Sequence, residues 1–159
     1  MPGQPVSIRA AIMEDVPALT RLYIAYRLFY GEPERAEAAL EFIHDRVRRN
    51  AGEYFLAWDG SVDDPLRATP VGFMHLMPST NTLAMRLIWI LEDLYVEPAA
   101  RKNGVATSLL MHAEAFARTT GAERLTLSTA HDNTGAQNLY RKLGYVRDEH
   151  FQYFHRVLG

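Results

Sequence analysis

The sequence predicts a mixed α/β fold, and three observations carry that prediction. Short apolar runs with period-two alternation are interleaved with amphipathic stretches of helical period. Turn signals fall between them at Gly31, Asp59-Gly60, Pro98 and Gly121. The resulting order is β-α-α-β-β-β-α-β-α-β-β, which clusters strands in the middle of the chain rather than alternating them strictly with helices.

Val6–Ala10 reads as the first strand. From about Glu14 to Tyr30 the apolar positions Leu19, Leu22, Tyr23, Tyr26 and Tyr30 recur at three- and four-residue steps, a helical face. Glu14 and Asp15 stand in its first turn, where the helix dipole favours acids. A second helix is expected over Glu34–Arg49, with Ala38, Phe42, Ile43 and Val47 on one side. Tyr54–Trp58 is a strand, and the polar stretch 61–69 a loop. Val71–Met77 forms the next strand, Pro78–Asn81 a loop, and Arg86–Val96 a long strand closed by Glu97-Pro98. Gly104–Thr119 is helical, Leu125–Thr129 a strand and Asn133–Leu143 a helix ending at Gly144. Tyr145-Val146 and Phe151–Val157 read as two short closing strands.

Composition narrows the function classes. At 159 residues, one domain spanning 1–159 is expected. A hydrophobic share of 48% and a charged share of 23% support a packed core rather than disorder. The formal net charge of −2 favours neither nucleic acid nor an anionic membrane as partner. No cysteine is present, which excludes disulfides, thiolate metal ligands and a cysteine nucleophile and fits a cytoplasmic setting. Met1–Pro5 lacks the basic and apolar regions of a signal peptide, and the apolar run Leu87–Leu91 is too short to span a bilayer. The six histidines, His44, His75, His112, His131, His150 and His155, show no metal-ligand spacing and read as structural. No metal is expected.

The stretch that carries chemistry is Leu94–Ala106: a strand, a loop Arg101-Lys102-Asn103-Gly104-Val105-Ala106, then a helix. A helix start presents unpaired N–H groups and the positive end of the dipole, which suits a phosphate. Gly104 and Ala106 are small enough to let one approach, and Arg101 and Lys102 add charge. A plain strand-to-helix turn with solvated basic residues explains the same spacing. Neither G-x-G-x-x-G nor G-x-x-x-x-G-K-[ST] occurs, so dinucleotide and P-loop readings lose their support.

Arg101-x-x-Gly104-x-Ala106 resembles the Q/R-x-x-G-x-G/A pyrophosphate signature of the GNAT N-acetyltransferases. Asn133-x-x-Ala136-Gln137-Asn138-Leu139-Tyr140-Arg141-Lys142-Leu143-Gly144-Tyr145 resembles that superfamily's second cofactor motif. Ile90-Leu91-Glu92-Asp93-Leu94-Tyr95-Val96 is similar to its central strand, and the L-E-D segment to that of spermidine/spermine N-acetyltransferases. The resemblance is dense from Trp89 to Val146 and looser upstream, where Tyr26-x-x-Phe29-Tyr30 is similar to yeast histone and D-amino-acid acetyltransferases.

The resemblance implies a mostly antiparallel sheet splayed between two middle strands, with helices on both faces. It implies acetyl-CoA as co-substrate. Leu94, Tyr95 and Val96 would line the pantetheine arm, Leu94 and Val96 through main-chain groups. Arg101, Lys102, Asn103, Gly104, Val105 and Ala106 would hold the pyrophosphate. Asn133 would contact the arm, and Tyr140 would sit near the sulfur as proton donor. These two share a helical face, being seven residues apart at roughly 100° per residue.

Glu92 is the first choice of base, through a water, and Asp93 on the opposite strand face the second; either acid also reads as structural. Tyr26, Phe29 and Tyr30, with Glu92, would border the acceptor, although ordinary helix packing explains the aromatic stripe equally well. The expected acceptor is a small primary amine, a polyamine or amino acid. A lysine side chain on a protein, a non-catalytic acyl-CoA-binding module, and a structural protein with incidental phosphate binding are the alternatives. Homodimerisation through the Phe151–Val157 edge is expected by analogy.

Overall fold

The computed structural model describes residues 6–60 and 68–159. Within them the chain runs β1 (Ser7–Ala10), α1 (Val16–Phe29), α2 (Ala36–Arg48), β2 (Glu53–Asp59), β3 (Thr69–Asn81), β4 (Arg86–Val96), α3 (Val105–Thr119), β5 (Leu125–Leu127) and α4 (Thr134–Lys142). Most of the loop expected over 61–69, and the segment Met1–Pro5, lie outside the described residues. The chain divides into two compact units, Met1–Ser128 and Thr129–Gly159.

The first unit holds a five-stranded sheet in the order β1-β2-β3-β4-β5. Its first three pairings are antiparallel and β4–β5 is parallel, so the mostly antiparallel sheet is present. Alternation along the strands sends side chains to two helical layers. Tyr54, Leu56, Phe73 and Tyr95 pack with Val16, Leu19 and Leu22 of α1 and Ile43 of α2. On the other face Phe55 meets His112 and Phe116 of α3, at ring-centre distances of 4.9 and 5.2 Å.

One register shift in β4 matters for everything below. His75 pairs with Asp93 and Leu76 with Leu91, so Glu92 is an extra residue with no partner in β3. Such a bulge breaks the period-two phase. Tyr95 accordingly faces α1, whereas Trp89, six positions earlier, faces α3 and lies 5.1 Å from the Phe116 ring.

Several boundaries differ from the sequence reading, each for a physical reason. The first helix begins at Val16, after a 3-10 turn over Met13–Asp15. Asp15 is drawn out of the helix by two bonds from Arg9, at 2.6 and 2.9 Å, and one from the Ile12 N–H at 2.9 Å. β3 runs through Pro78 to Asn81, where a loop was expected. Pro78 is tolerated because β2 ends opposite Leu76, leaving that stretch of β3 a sheet edge on one side. β5 is only three residues long.

In the second unit the two closing strands are not formed: residues 145–159 adopt no strand. A strand needs a partner strand, and this unit supplies only α4. Val146, Phe151, Tyr153, Phe154 and Val157 are correspondingly exposed.

The Arg9–Asp15 pair yields a stability prediction. Burial alone would raise the Asp15 pKa, but the Arg9 bonds and charge and the Ile12 N–H hold it below the usual carboxylate range. A carboxylate depressed on folding stabilises the protein above its unfolded pKa of ~3.9, and that contribution is lost as pH falls through the lower folded value. Asp15→Asn should therefore cost about 1–2 kcal/mol near neutral pH, at the low end for an ion pair because Arg9 is partly in water. In urea melts the gap from wild type should close in strong acid; an equal gap at both pH values would assign the loss to packing instead.

Candidate active site

The site is best followed from β4 outward. β5 accompanies β4 only from Trp89 to Leu91, so Glu92–Val96 has no β5 partner. This is the expected splay. The Glu97 N–H donates to the Val71 carbonyl at 2.8 Å. By the alternation of an antiparallel ladder, Tyr95 and Asp93 then also direct their main-chain groups toward β3. Leu94 and Val96 direct theirs to the open side, where a ligand strand or arm could be bound.

The residues expected at the start of α3 occupy a tight turn. Lys102 and Gly104 have φ of 63° and 82°, and Gly104 is the residue before the first helical turn. A Cβ on Gly104 would meet nothing within 4 Å, so the positive φ rather than crowding selects glycine. The first internal α3 bond is from the Ser108 N–H to the Gly104 carbonyl, at 2.9 Å. The amides of Val105, Ala106 and Thr107 therefore have no carbonyl within the helix to receive them. Lys102, Asn103 and Gly104 are exposed beside them.

Arg101, expected to add charge beside the phosphate, is exposed and also reaches back along β4. Its Nε donates to the Val96 carbonyl at 2.8 Å, and its guanidinium carbon lies 5.2 Å from the Phe29 ring centre and 5.6 Å from that of Tyr95. It braces the end of β4 against α1. Tyr95, expected on the cofactor arm, turns its ring into the aromatic layer under α1.

That layer gathers the predicted acceptor residues. Tyr26 contacts Tyr30, Phe73 and Tyr95 edge-on, at ring-centre distances of 5.1, 5.8 and 6.3 Å. Phe29 lies 5.2 Å from Tyr30. Tyr26 is half-buried, whereas Phe29 and Tyr30 are exposed at the end of α1. Burial raises the Tyr26 pKa far above that of a free phenol, and the adjacent Asp93 carboxylate adds to the rise. Tyr26 thus stays protonated and can donate.

The two acids of β4 differ in setting. Glu92 is exposed at the bulge, with no hydrogen bond or ion pair to another described residue. Asp93 is held by His75: Nδ1–H of the imidazole donates to Oδ2 at 2.9 Å, and the side chains are 5% and 22% exposed. The His75 ring stacks on Tyr54 with centres 4.1 Å apart and planes 3° from parallel. The sequence reading takes His75 as structural and does not foresee its place opposite Asp93. The register that sets it opposite Asp93 depends on the Glu92 bulge, which no residue type announces.

The second unit carries Asn133 and Tyr140. Asn133 caps α4, its Oδ1 accepting from the Ala136 N–H at 3.2 Å. Tyr140 lies in the last turn of α4, its ring centre 5.9 Å from that of Tyr145. The cap leaves the Asn133 amide NH₂ as the group available to a ligand. Among the described residues no group of three or more His, Asp or Glu is placed to hold a metal, and no helix is long and apolar enough to cross a membrane.

Comparison with known proteins adds four findings to this geometry. Residues 18–145 match the model of the acetyltransferase (GNAT) family, and the match extends into both compact units. An uncharacterized N-acetyltransferase of Bacillus subtilis (strain 168) is 32% identical over 149 residues, covering 94% of this chain and 95% of that protein. A D-amino-acid N-acetyltransferase of Saccharomyces cerevisiae (strain ATCC 204508 / S288c) is 26% identical over 153 residues, covering 94% and 90%. A crystal structure of a probable acetyltransferase superposes with a TM-score of 0.88 at 35% identity, covering 96% of this chain and 98% of that one.

Proposed function

Because the chain belongs to the acetyltransferase (GNAT) family, we propose that it moves the acetyl group of acetyl-CoA directly onto a primary amine of a small molecule, with residues 1–159 acting as one functional domain. The observation that carries this reading is the open side of β4 at Leu94 and Val96, running into the unpaired amides that begin α3. A long ligand with a diphosphate at one end and amide groups along its arm fits such a surface: strand-like bonds for the arm, a helix start for the phosphates.

The chemistry then divides among the chain's own groups. An alkylammonium has no lone pair, so the acceptor must first lose a proton; Glu92, exposed at the bulge, takes it through a water. The amine nitrogen bonds to the thioester carbon, and the Leu94 N–H on the open side stabilises the oxyanion. As the C–S bond breaks, the thiolate takes the Tyr140 phenolic proton, the nitrogen releases its remaining extra proton to water, and the phenolate is reprotonated from water before the next turnover. Phenol, with a pKa near ~10, is protonated at neutral pH and suited to that step. No acyl-enzyme forms, in keeping with the absence of cysteine. The relative from yeast named for D-amino acids supports a small acceptor.

Coenzyme A at 100 times its Kd should stabilise the protein by about 2.7 kcal/mol, read as a rise in Tm, and equimolar inorganic phosphate should not. A panel of small amines with acetyl-CoA should then show thiol release. Indifference to millimolar coenzyme A would remove the enzyme reading altogether.

A further inference from the structure

Two adjacent carboxylates at the heart of a site invite the question of why both are there, and their surroundings answer it differently. Glu92 stands exposed at the bulge, where exchange with water is easy. Asp93 is immobilised. His75 donates to it at 2.9 Å, and His75 is itself clamped, stacked on Tyr54 and 4% exposed overall.

Behind the imidazole is Gly52. A Cβ there would lie 2.6 Å from His75 Nε2 and 2.8 Å from the Leu76 carbonyl, and its φ of +103° also excludes other residues. Nε2 is buried without a partner among the described residues. The ring is therefore held by shape on one side and by Asp93 on the other. A buried, half-satisfied imidazole is a cost to folding, and one reason to tolerate it is the fixed carboxylate it produces.

That carboxylate lies beside the Tyr26 hydroxyl, whose pKa its charge helps to raise, and the Tyr26 ring contacts those of Tyr30 and Tyr95. A rigid anion beside aromatic rings binds an ammonium well. Arg101 borders the same layer, but its Nε is committed to the Val96 carbonyl at the end of β4.

We propose that His75 is a positioning residue that fixes Asp93 as an anchor for a second ammonium group of the acceptor, so that the preferred acceptors are diamines or polyamines rather than monoamines. This rests on the acetyltransferase reading and adds to it a division of labour: Glu92 deprotonates one amine while Asp93 holds another as its cation.

The test is titration calorimetry of the full chain, with and without saturating coenzyme A, using spermidine and n-butylamine as probes. Asp93→Asn should weaken spermidine about tenfold, the scale of one charge-assisted bond. His75→Phe keeps a ring on Tyr54 but removes the donor, and should weaken spermidine to about the same extent. His75→Asn places an N–H near the Nδ1 position and should recover affinity to within about threefold of wild type. n-Butylamine should bind all four proteins alike.

Spermidine binding that is absent in wild type, unchanged in Asp93→Asn or His75→Phe, or not rescued by His75→Asn, overturns the proposal, as does an equal loss for n-butylamine. Stabilisation by coenzyme A, followed on the same samples, reports folding and the acetyltransferase reading separately. If it persists while spermidine ignores Asp93, only the anchor fails.

Discussion

Replacing Tyr140 by phenylalanine is expected to lower kcat by about 100-fold while leaving the Kd for coenzyme A within about threefold, the range for removing a general acid. The substitution keeps the ring against Tyr145 and deletes only the hydroxyl. Cofactor affinity should survive because the proposed grip on the diphosphate is made by main-chain amides at the start of α3. The leaving thiolate would depart without a proton donor, so the loss should shrink with thioesters of more acidic thiols. Steady-state kinetics with acetyl-CoA and one such analogue would check it, and an unchanged kcat would take Tyr140 out of the mechanism.

Glu92→Gln should be about as severe near neutral pH, on the order of 100-fold in kcat/KM, and its effect should depend on pH in a definite sense. At neutral pH an amine of pKa about 10 is almost wholly protonated and needs a base. As pH rises toward that value the neutral amine supplies itself, so wild type and variant should converge. Asp93→Asn should instead raise the acceptor KM with a smaller change in kcat. If Asp93→Asn proves the costlier in kcat and Glu92→Gln is mild, the two carboxylates have exchanged roles.

Much of this architecture was legible in the residues. The strands from Val71 and from Arg86, and the helix ending near Thr119, carry strong periodicity, and the structure has them. The pairing of an apolar strand with an R-x-x-G-x-A loop was local, so it needed no tertiary information. What stayed hidden was register. Pro78 suggests a stop to any sequence reader, yet the missing β2 partner beyond Leu76 lets the strand continue. Arg101 read as a phosphate ligand from its place in the motif; the fold adds Phe29 and Tyr95 beneath it, which no local pattern signals. The alternation of Phe151–Val157 suggested a strand, but alternation states which side would be buried, not whether a partner strand exists.

The unpaired Glu92 has a consequence for how this chain can change over generations. N-terminal to it, odd-numbered positions of β4 turn toward α3; C-terminal to it, odd-numbered positions turn toward α1. Substituting the glutamate would remove the proposed base and leave that inversion in place. Deleting it would merge the halves into one unbroken alternation and swing Trp89 and Leu91 to the wrong layer, or Asp93 and Tyr95. Random mutagenesis should thus recover many replacements at this codon, inactive yet folded, and no viable in-frame loss of it.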